Sequence, residues 1–248
     1  MGKISAWGAW KDLEPVVRQP RLYEQVAQRI QAMIHEAGMK PGDQLPPERM
    51  LAEQLGISRP SLREAMIALE TAGLVEVRTG DGTYIRALPA EGLRLGWAAQ
   101  SAGGDPGPGV REQFEARKLI EPELAAMAAL AAKPADIAVL QSAVDRAAAK
   151  FVQGQAADDD DYAFHVGLAE MSGNSVLAAF DRQLWDLRRT AMWKTLRGRV
   201  VRPKHRSQVI ADRRAIIAAL QARDAKTAKR IVGRFLARAE IRYFGEDD

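Results

Sequence analysis

Leu45 to Ile85 reads LPPERMLAEQLGISRPSLREAMIALETAGLVEVRTGDGTYI, and its punctuation decides the fold. Met50, Leu51 and Leu55 give a first helix one apolar side, and Gly56 stands where a helix C-terminus favours a left-handed residue. Ser58 can accept from the free N–H groups that open the next helix, and Pro60 is tolerated in its first turn. That second helix carries Leu62, Ala65, Met66 and Leu69 at helical spacing, so one stripe faces a core. Arg59, Ser61 and Arg63 show at its N-terminal end, and Gly73 stops it. The period then changes. Leu74, Val75 and Val77 lead into Arg78-Thr79-Gly80-Asp81-Gly82-Thr83, and Tyr84-Ile85 returns, which is a hairpin with a glycine-rich turn. Helix, turn, helix and hairpin make a winged helix, a unit whose second helix enters the DNA major groove and whose hairpin tip reaches backbone or minor groove.

Several separated pieces of this region carry a family resemblance. Pro41-Gly42-Asp43, Leu45-Pro46, Glu48-Arg49, Leu51-Ala52, Ser58-Arg59, Leu62-Arg63-Glu64-Ala65, Leu69, Gly73-Leu74 and Gly80-x-Gly82-Thr83 together resemble the GntR family of bacterial transcription regulators, over about Leu22 to Arg86. The resemblance implies a double-stranded DNA operator as partner. It assigns Arg49, Ser58, Arg59, Ser61 and Arg63 to phosphate and major-groove contacts, and Thr79 and Gly80, at the wing tip, to the minor groove. A winged helix used only for protein contacts would have no need of Arg49, Arg59 and Arg63 around one helix end.

A chain of 248 residues suits two domains, each able to bury a core of its own. It shows no run of 18 apolar residues and no basic-then-apolar leader, so the expectation is a cytoplasmic protein that does not enter a membrane. The absence of cysteine removes disulfides, thiolate catalysis and cysteine-ligated zinc together. The net charge of +4 is not spread evenly. Residues 1–88 carry 11 basic and 11 acidic side chains, whereas Arg182–Arg214 hold 11 Lys or Arg against Asp186 and Asp212. DNA binding therefore rests on where individual arginines point. A neutral DNA-binding half is expected to act as a homodimer on a palindromic operator, where two modest contacts add.

Residues 1–20, with Trp7 and Trp10, have no period and read as a tail. Leu22 to Ala37 is an amphipathic helix, the first of a winged domain spanning 21–87. The Gly- and Pro-rich stretch 88–109 is a linker in which Glu91 to Ser101 could form a short helix through Leu93, Leu95 and Trp97. From 110 to 244 every segment reads as helix: Arg111–Ala132, Pro134–Gln153, Asp158–Met171, Asn174–Thr195 or beyond, Pro203–Arg223 and Asp224–Phe244. The fold class is mostly α, a winged helix-turn-helix with a small hairpin followed by an all-α bundle of six or seven helices.

The second half carries a resemblance too. Phe114-Glu115-x-Arg117, Glu121-Pro122, Ala125, Ala128-Ala129, Asp161-x-x-Phe164-His165, Ser172-Gly173-Asn174, Arg214-x-Ile216-Ile217-x-Ala219-Leu220 and Asp224-x-x-x-Ala228 are similar to the FCD ligand-sensing domain of the FadR subfamily within GntR regulators. Effector binding and dimerisation are what that implies for 110–244. Asp161 and His165, four apart, project from one helix face and are of the kind that ligates a divalent metal. The resemblance supplies two further histidines in metal-bearing relatives, but the matching positions here are Arg213 and Phe235. No cofactor is therefore expected, and a divalent ion such as zinc would have only Asp161 and His165.

The preferred reading is that Arg213 replaces the ion and grips an effector carboxylate through two parallel N–H bonds, with Asp161 orienting it or binding effector hydroxyls. The plainer alternative makes Asp161 and His165 a buried hydrogen-bonded pair. Arg117 has two readings, a cavity anchor implied by the resemblance and a salt bridge to Glu121 one turn on. Asn174 is a helix cap or a pocket donor. Trp185, Arg188, Arg189, Met192 and Trp193 should border the cavity, and Arg189 and Trp193 are placed in it. The basic run through Arg206 is read as a solvated face with one or two members in the pocket. The expected function is a DNA-binding transcription regulator, a repressor by default and not an enzyme, controlled by a small organic or sugar acid that changes the spacing of two winged domains through Leu88–Val110. Rival readings are a long-chain acyl-thioester in an apolar tunnel and a metal-dependent hydrolase built on Asp161 and His165, for which no nucleophile motif exists.

Overall fold

The computed structural model describes residues 20–78, 80–88, 108–200 and 203–245. The tail with Trp7 and Trp10, the wing-tip Thr79 and the short linker helix expected at Glu91–Ser101 lie outside the described residues.

In the winged domain, α1 spans Leu22–Glu36, α2 Glu48–Leu55 and α3 Arg59–Thr71. Glu24 reaches back to accept the Arg21 N–H at 2.7 Å, which supplies one of the bonds a helix start lacks. Gly56 closes α2 in the left-handed region at φ 64°, where a side chain would be strained. Two residues later Ser58 Oγ accepts from the Ser61 N–H at 3.3 Å and opens α3. The turn between the helices is thus fixed by Gly56 and Ser58. Ile30, Leu51, Leu62, Ala65, Met66 and Leu69 meet Val75 and Ile85 in one core. Strands β1 (Val75–Arg78) and β2 (Gly82–Ile85) pair antiparallel, Val75 opposite Ile85 and Arg78 opposite Gly82.

Seven helices follow among the described residues: α4 Val110–Ala131, α5 Pro134–Val152, α6 Asp158–Glu170, α7 Ser175–Asp186, α8 Ala191–Val200, α9 Pro203–Gln221 and α10 Ala225–Phe244. The long helices α4 and α10 make the most extensive pairing, and Ala125, Ala128 and Ala129 on α4 are all buried. Small side chains there let the backbones approach. Phe164, Leu168, Leu220, Leu236 and Phe235 complete the bundle core. Caps set the boundaries, as with Asp224, which accepts the Thr227 N–H at 2.9 Å.

One expected helix is broken. Asn174–Thr195 is not continuous: α7 ends at Asp186, a single 3-10 turn covers Leu187–Arg189, and Thr190 is extended at ψ 157° before α8 begins. Extended backbone suits a β-branched residue, and the Thr190 carbonyl accepts from the Lys194 N–H at 3.1 Å, so the break itself starts the next helix. The interruption lets Trp185 and Trp193, on different helices, both be buried.

The two domains touch through the back of α3. Tyr23, Ile67 and Ala68 join Phe114, Trp193, Leu196, Ala239, Tyr243 and Phe244 in one apolar cluster. No helix among the described residues is long and apolar enough to cross a membrane.

Candidate functional site

Of the residues expected to meet DNA, Arg49, Ser58 and Arg59 are exposed, Ser61 is half-buried, and Gly80 is exposed at the wing tip. Arg49 makes only a surface pairing with Glu53 at 3.7 Å, the kind worth a few tenths of a kcal/mol. Ser58 and Ser61 bond each other through their hydroxyls at 2.9 Å. Arg63 differs from its neighbours. Its Nη2 lies 3.6 Å from Glu48 Oε2 and its Nη1 donates to the Tyr243 carbonyl, 180 residues away, at 3.4 Å. Arg59→Ala is expected to cost about 1–3 kcal/mol of DNA affinity and to relax sequence preference at one position. Binding titrations on matched and mismatched duplexes check this, since a uniform loss on all DNA would make Arg59 a phosphate contact.

A cavity of about 360 Å³ opens in the helical domain, within the range of small-molecule sites. Six cationic side chains line it, Arg117, Arg188, Lys194, Arg197, Arg206 and Arg242, against two carboxylates, Asp158 and Asp161. Phe114, Phe151, Phe235 and Tyr243 supply apolar wall, and His205 also lines it. Three of the cations have protein partners: Arg117 pairs with Glu121, Arg197 with Asp158, and Arg206 donates to the carbonyls of Phe151 and Gly154. Arg188, Lys194 and Arg242 have no carboxylate partner among the described residues. Arg188 is the most constrained, its guanidinium stacked 4.2 Å from the Trp185 ring and 4.7 Å from the Trp193 ring. Burial pulls its pKa down to about 10, which still leaves it charged at neutral pH. Stacking holds a guanidinium by its faces and leaves its in-plane N–H groups for a planar anion.

Behind that wall lies a buried polar network. Glu121 accepts from Arg117 Nη2 at 3.3 Å and from Trp185 Nε1 at 3.1 Å, and His165 Nδ1 stands 3.3 Å from its other side. Burial is the largest single influence and works to raise the Glu121 pKa, but Arg117 and His165 together outweigh it and hold the carboxyl below the usual carboxylate range. His165, stacked 4.2 Å from Trp185, is driven down to about 4 by burial and is neutral. Arg213 Nη1 lies 2.7 Å from Asp161 Oδ1, in charge contact without hydrogen-bond alignment, and its guanidinium sits 5.2 Å from the Phe164 ring. Asp181, fully buried with neither oxygen partnered, is pushed up to about 8 by burial and by Glu121, so it is an uncharged acid at neutral pH.

The structure distributes the expected effector residues unevenly. Arg117 and Asp161 line the cavity; His165, Asn174, Arg189, Trp193 and Arg213 do not. Arg117 lines the cavity and also pairs with Glu121. Arg213, 2% exposed, stands behind Asp161, so its charge orients Asp161 and cannot reach the cavity directly. Asn174 caps α7, accepting from the N–H groups of Val176 and Leu177 at 3.2 and 3.1 Å. Arg189 is exposed beside Tyr162, in a smaller chamber of about 200 Å³ that shares Arg188 and Lys194 with the main cavity. Trp193 is core, its Nε1 donating to Gln113 at 2.6 Å.

The residues that the reading of the chain missed are Lys194, Arg197, His205 and Arg242. For Lys194 and Arg197 the signal was the basic excess in Arg182–Arg214, too large for its two acids to neutralise and taken for a solvated face. Among the described residues no three His, Asp or Glu side chains converge, and the Arg213 guanidinium sits against Asp161.

Residues 22–85 match the profile described as bacterial regulatory proteins, gntR family, and residues 112–238 match the FCD domain. The chain is 33% identical to the Uxu operon regulator of Haemophilus influenzae, over 99% of this chain and 91% of that protein. It is 36% identical to the Uxu operon transcriptional regulator of Escherichia coli, over 84% and 81%. It is 31% identical to a putative L-lactate dehydrogenase operon regulatory protein of Escherichia coli, over 94% and 91%. Among solved structures, Streptococcus agalactiae GntR aligns over 88% of this chain and 98% of its own, at 26% identity and a TM-score of 0.45.

Proposed function

This chain belongs to the gntR family of bacterial regulatory proteins and carries an FCD domain, and we propose that, as a transcription regulator, it is a metal-independent sensor of a small hydroxylated organic acid. The observation that carries the reading is the cavity in which Arg188, Lys194 and Arg242 converge with no carboxylate paired to them among the described residues. A carboxylate entering there meets Arg188 and Arg242, whose burial already costs free energy, beside the exposed Lys194, so its binding is favoured electrostatically. Asp161, 20% exposed on its side chain and oriented by Arg213, offers an acceptor for hydroxyl groups. Together these features suit an acid that also bears hydroxyls, as sugar acids and short hydroxy acids do. The relative named for an L-lactate dehydrogenase operon is a regulator connected with an acid of that kind.

The rest of the proposal follows the family. The protein acts as a homodimer on a palindromic operator in the cytoplasm, where DNA is, and acid binding releases it, which makes it a repressor. The cavity senses and does not catalyse, since no nucleophile with an activating base lines it.

Thermal unfolding of chelator-treated protein against D-glucuronate, D-galacturonate, D-gluconate and L-lactate tests the sensing role. An acid at a hundred times its dissociation constant stabilises the fold by about 2.7 kcal/mol, which raises the melting temperature by about 5–10 °C in a protein of this size. Stabilisation that appears only when a divalent metal is restored would return the role to Asp161 and His165. No stabilisation in either condition would refute the acid-sensing reading.

A further inference from the structure

The cavity and the contact between domains share a wall. Phe114, Ala239 and Tyr243 line the cavity and also belong to the apolar cluster that receives Tyr23, Ile67 and Ala68 from the winged domain. Around that cluster runs a ring of polar contacts made by α3. Glu64 Oε1 accepts the Arg111 N–H at 2.6 Å, so a carboxyl oxygen of the winged domain satisfies a free N–H in the first turn of α4. The fit is close at that point: a methyl group on Gly109 would come 3.1 Å from Glu64 Oε2. Thr71 Oγ1 and Thr195 Oγ1 meet at 3.4 Å. Arg63 donates to the carbonyl of Tyr243, a residue of the cavity wall.

Arg63 lies on the helix assigned to the DNA major groove, yet in this arrangement one end of its guanidinium faces Glu48 and the other holds Tyr243. A phosphate or a guanine edge would need those same N–H groups. We infer that the α3 contacts to α4, α8 and α10 form a latch that holds the winged domain in a state of low DNA affinity, with Arg63 withheld, and that an acid packing against Tyr243 and Ala239 tightens it. This route runs through direct contact and is independent of the connecting segment. The acid-dependent half rests on the reading of the cavity given above; the latch half does not.

The chain contains no cysteine, so Thr71→Cys with Thr195→Cys creates the only possible disulfide, across the interface. The double variant is oxidised with diamide, and intramolecular closure is followed by mobility on a non-reducing gel. Binding is measured to an operator fragment selected from random duplex DNA by the wild-type protein. The closed form is expected to bind at least tenfold more weakly than the same sample after reduction, with wild type unaffected by either treatment. The reduced sample serves as the folding control. Failure to close, or equal DNA affinity of the closed and reduced forms, would overturn the latch. Any acid that stabilises the wild type is expected to speed closure at least threefold. A stabilising acid without that effect would overturn the coupling and leave the cavity reading standing. Weak DNA binding by the closed form, with no acid stabilising the protein, would support the latch and sink the cavity reading alone.

Discussion

Arg188→Ala is expected to weaken binding of a stabilising acid about a hundredfold without lowering the melting temperature of the acid-free protein. The two halves of that expectation have one origin. Arg188 is held between Trp185 and Trp193 and has no carboxylate partner among the described residues, so in the empty cavity it is a desolvated cation whose compensation is ring stacking. Stacking of this sort is worth about 0.5–2 kcal/mol, and removal of the charge also relieves the burial that draws its pKa down. The net effect on stability is therefore near zero or favourable. Bound acid changes the balance. Charge-assisted hydrogen bonds contribute about 1.5–3 kcal/mol each, and losing a bidentate pair removes roughly 3 kcal/mol, or about two decades of affinity. Titration calorimetry on the variant, with the melting curve as control, reads both quantities. Wild-type affinity in a folded Arg188→Ala protein would remove Arg188 from the site and with it the assignment of the unpartnered cations. Lys194→Ala should cost less, because an exposed lysine is screened by water and salt.

The winged domain was almost fully legible in the chain because each of its boundaries is set by a residue with a local reason. Gly56 turns left-handed, Ser58 caps, and the strand period begins at Val75 just after Gly73. The helical domain was legible only as helices. Its cap at Asn174 was visible, but the break at Thr190 has no glycine or proline to announce it and comes from burying two tryptophans on either side. The site was partly hidden for the same reason. Spacing along one helix brought Asp161 and His165 together on paper, yet the structure turns His165 back toward Glu121 and leaves Asp161 on the cavity side. Arg242, 54 residues from Arg188, reaches the same cavity only through the packing of α10. Asp181 is more obscure still, since an aspartate on an amphipathic helix reads as exposed until the neighbouring helices cover it. Local chemistry fixes where helices start and stop; which cations share a cavity is decided by contacts between helices.

Glu121→Ala is expected to be the most damaging single change in the helical domain, costing about 3–5 kcal/mol and lowering the melting temperature by roughly 10 °C. Glu121 is 3% exposed, so solvent does not readily take its place. It faces Arg117, which is 2% exposed, the indole N–H of Trp185 and the ring of neutral His165, so its removal strands a guanidinium and an indole donor together. Glu121→Gln should cost less, since an amide oxygen can still accept from Trp185 while the charge pairing is lost. The converse change tests whether the pair is there for stability at all. Replacing both members, Arg117→Met with Glu121→Leu, removes two desolvated charges at once and is expected to recover most of the stability lost by Glu121→Ala, as buried ion pairs often contribute little beyond an apolar pair of similar volume. Calorimetric melting of the three variants decides the matter, and a double variant as unstable as Glu121→Ala would show that the network is itself a source of stability. If the double variant is stable, it also separates the two duties of Arg117. A folded protein that has lost acid affinity would assign Arg117 to the effector. One that binds the acid as wild type does would leave Arg117 as the partner of Glu121 and give the anchoring of the acid to Arg188, Lys194 and Arg242.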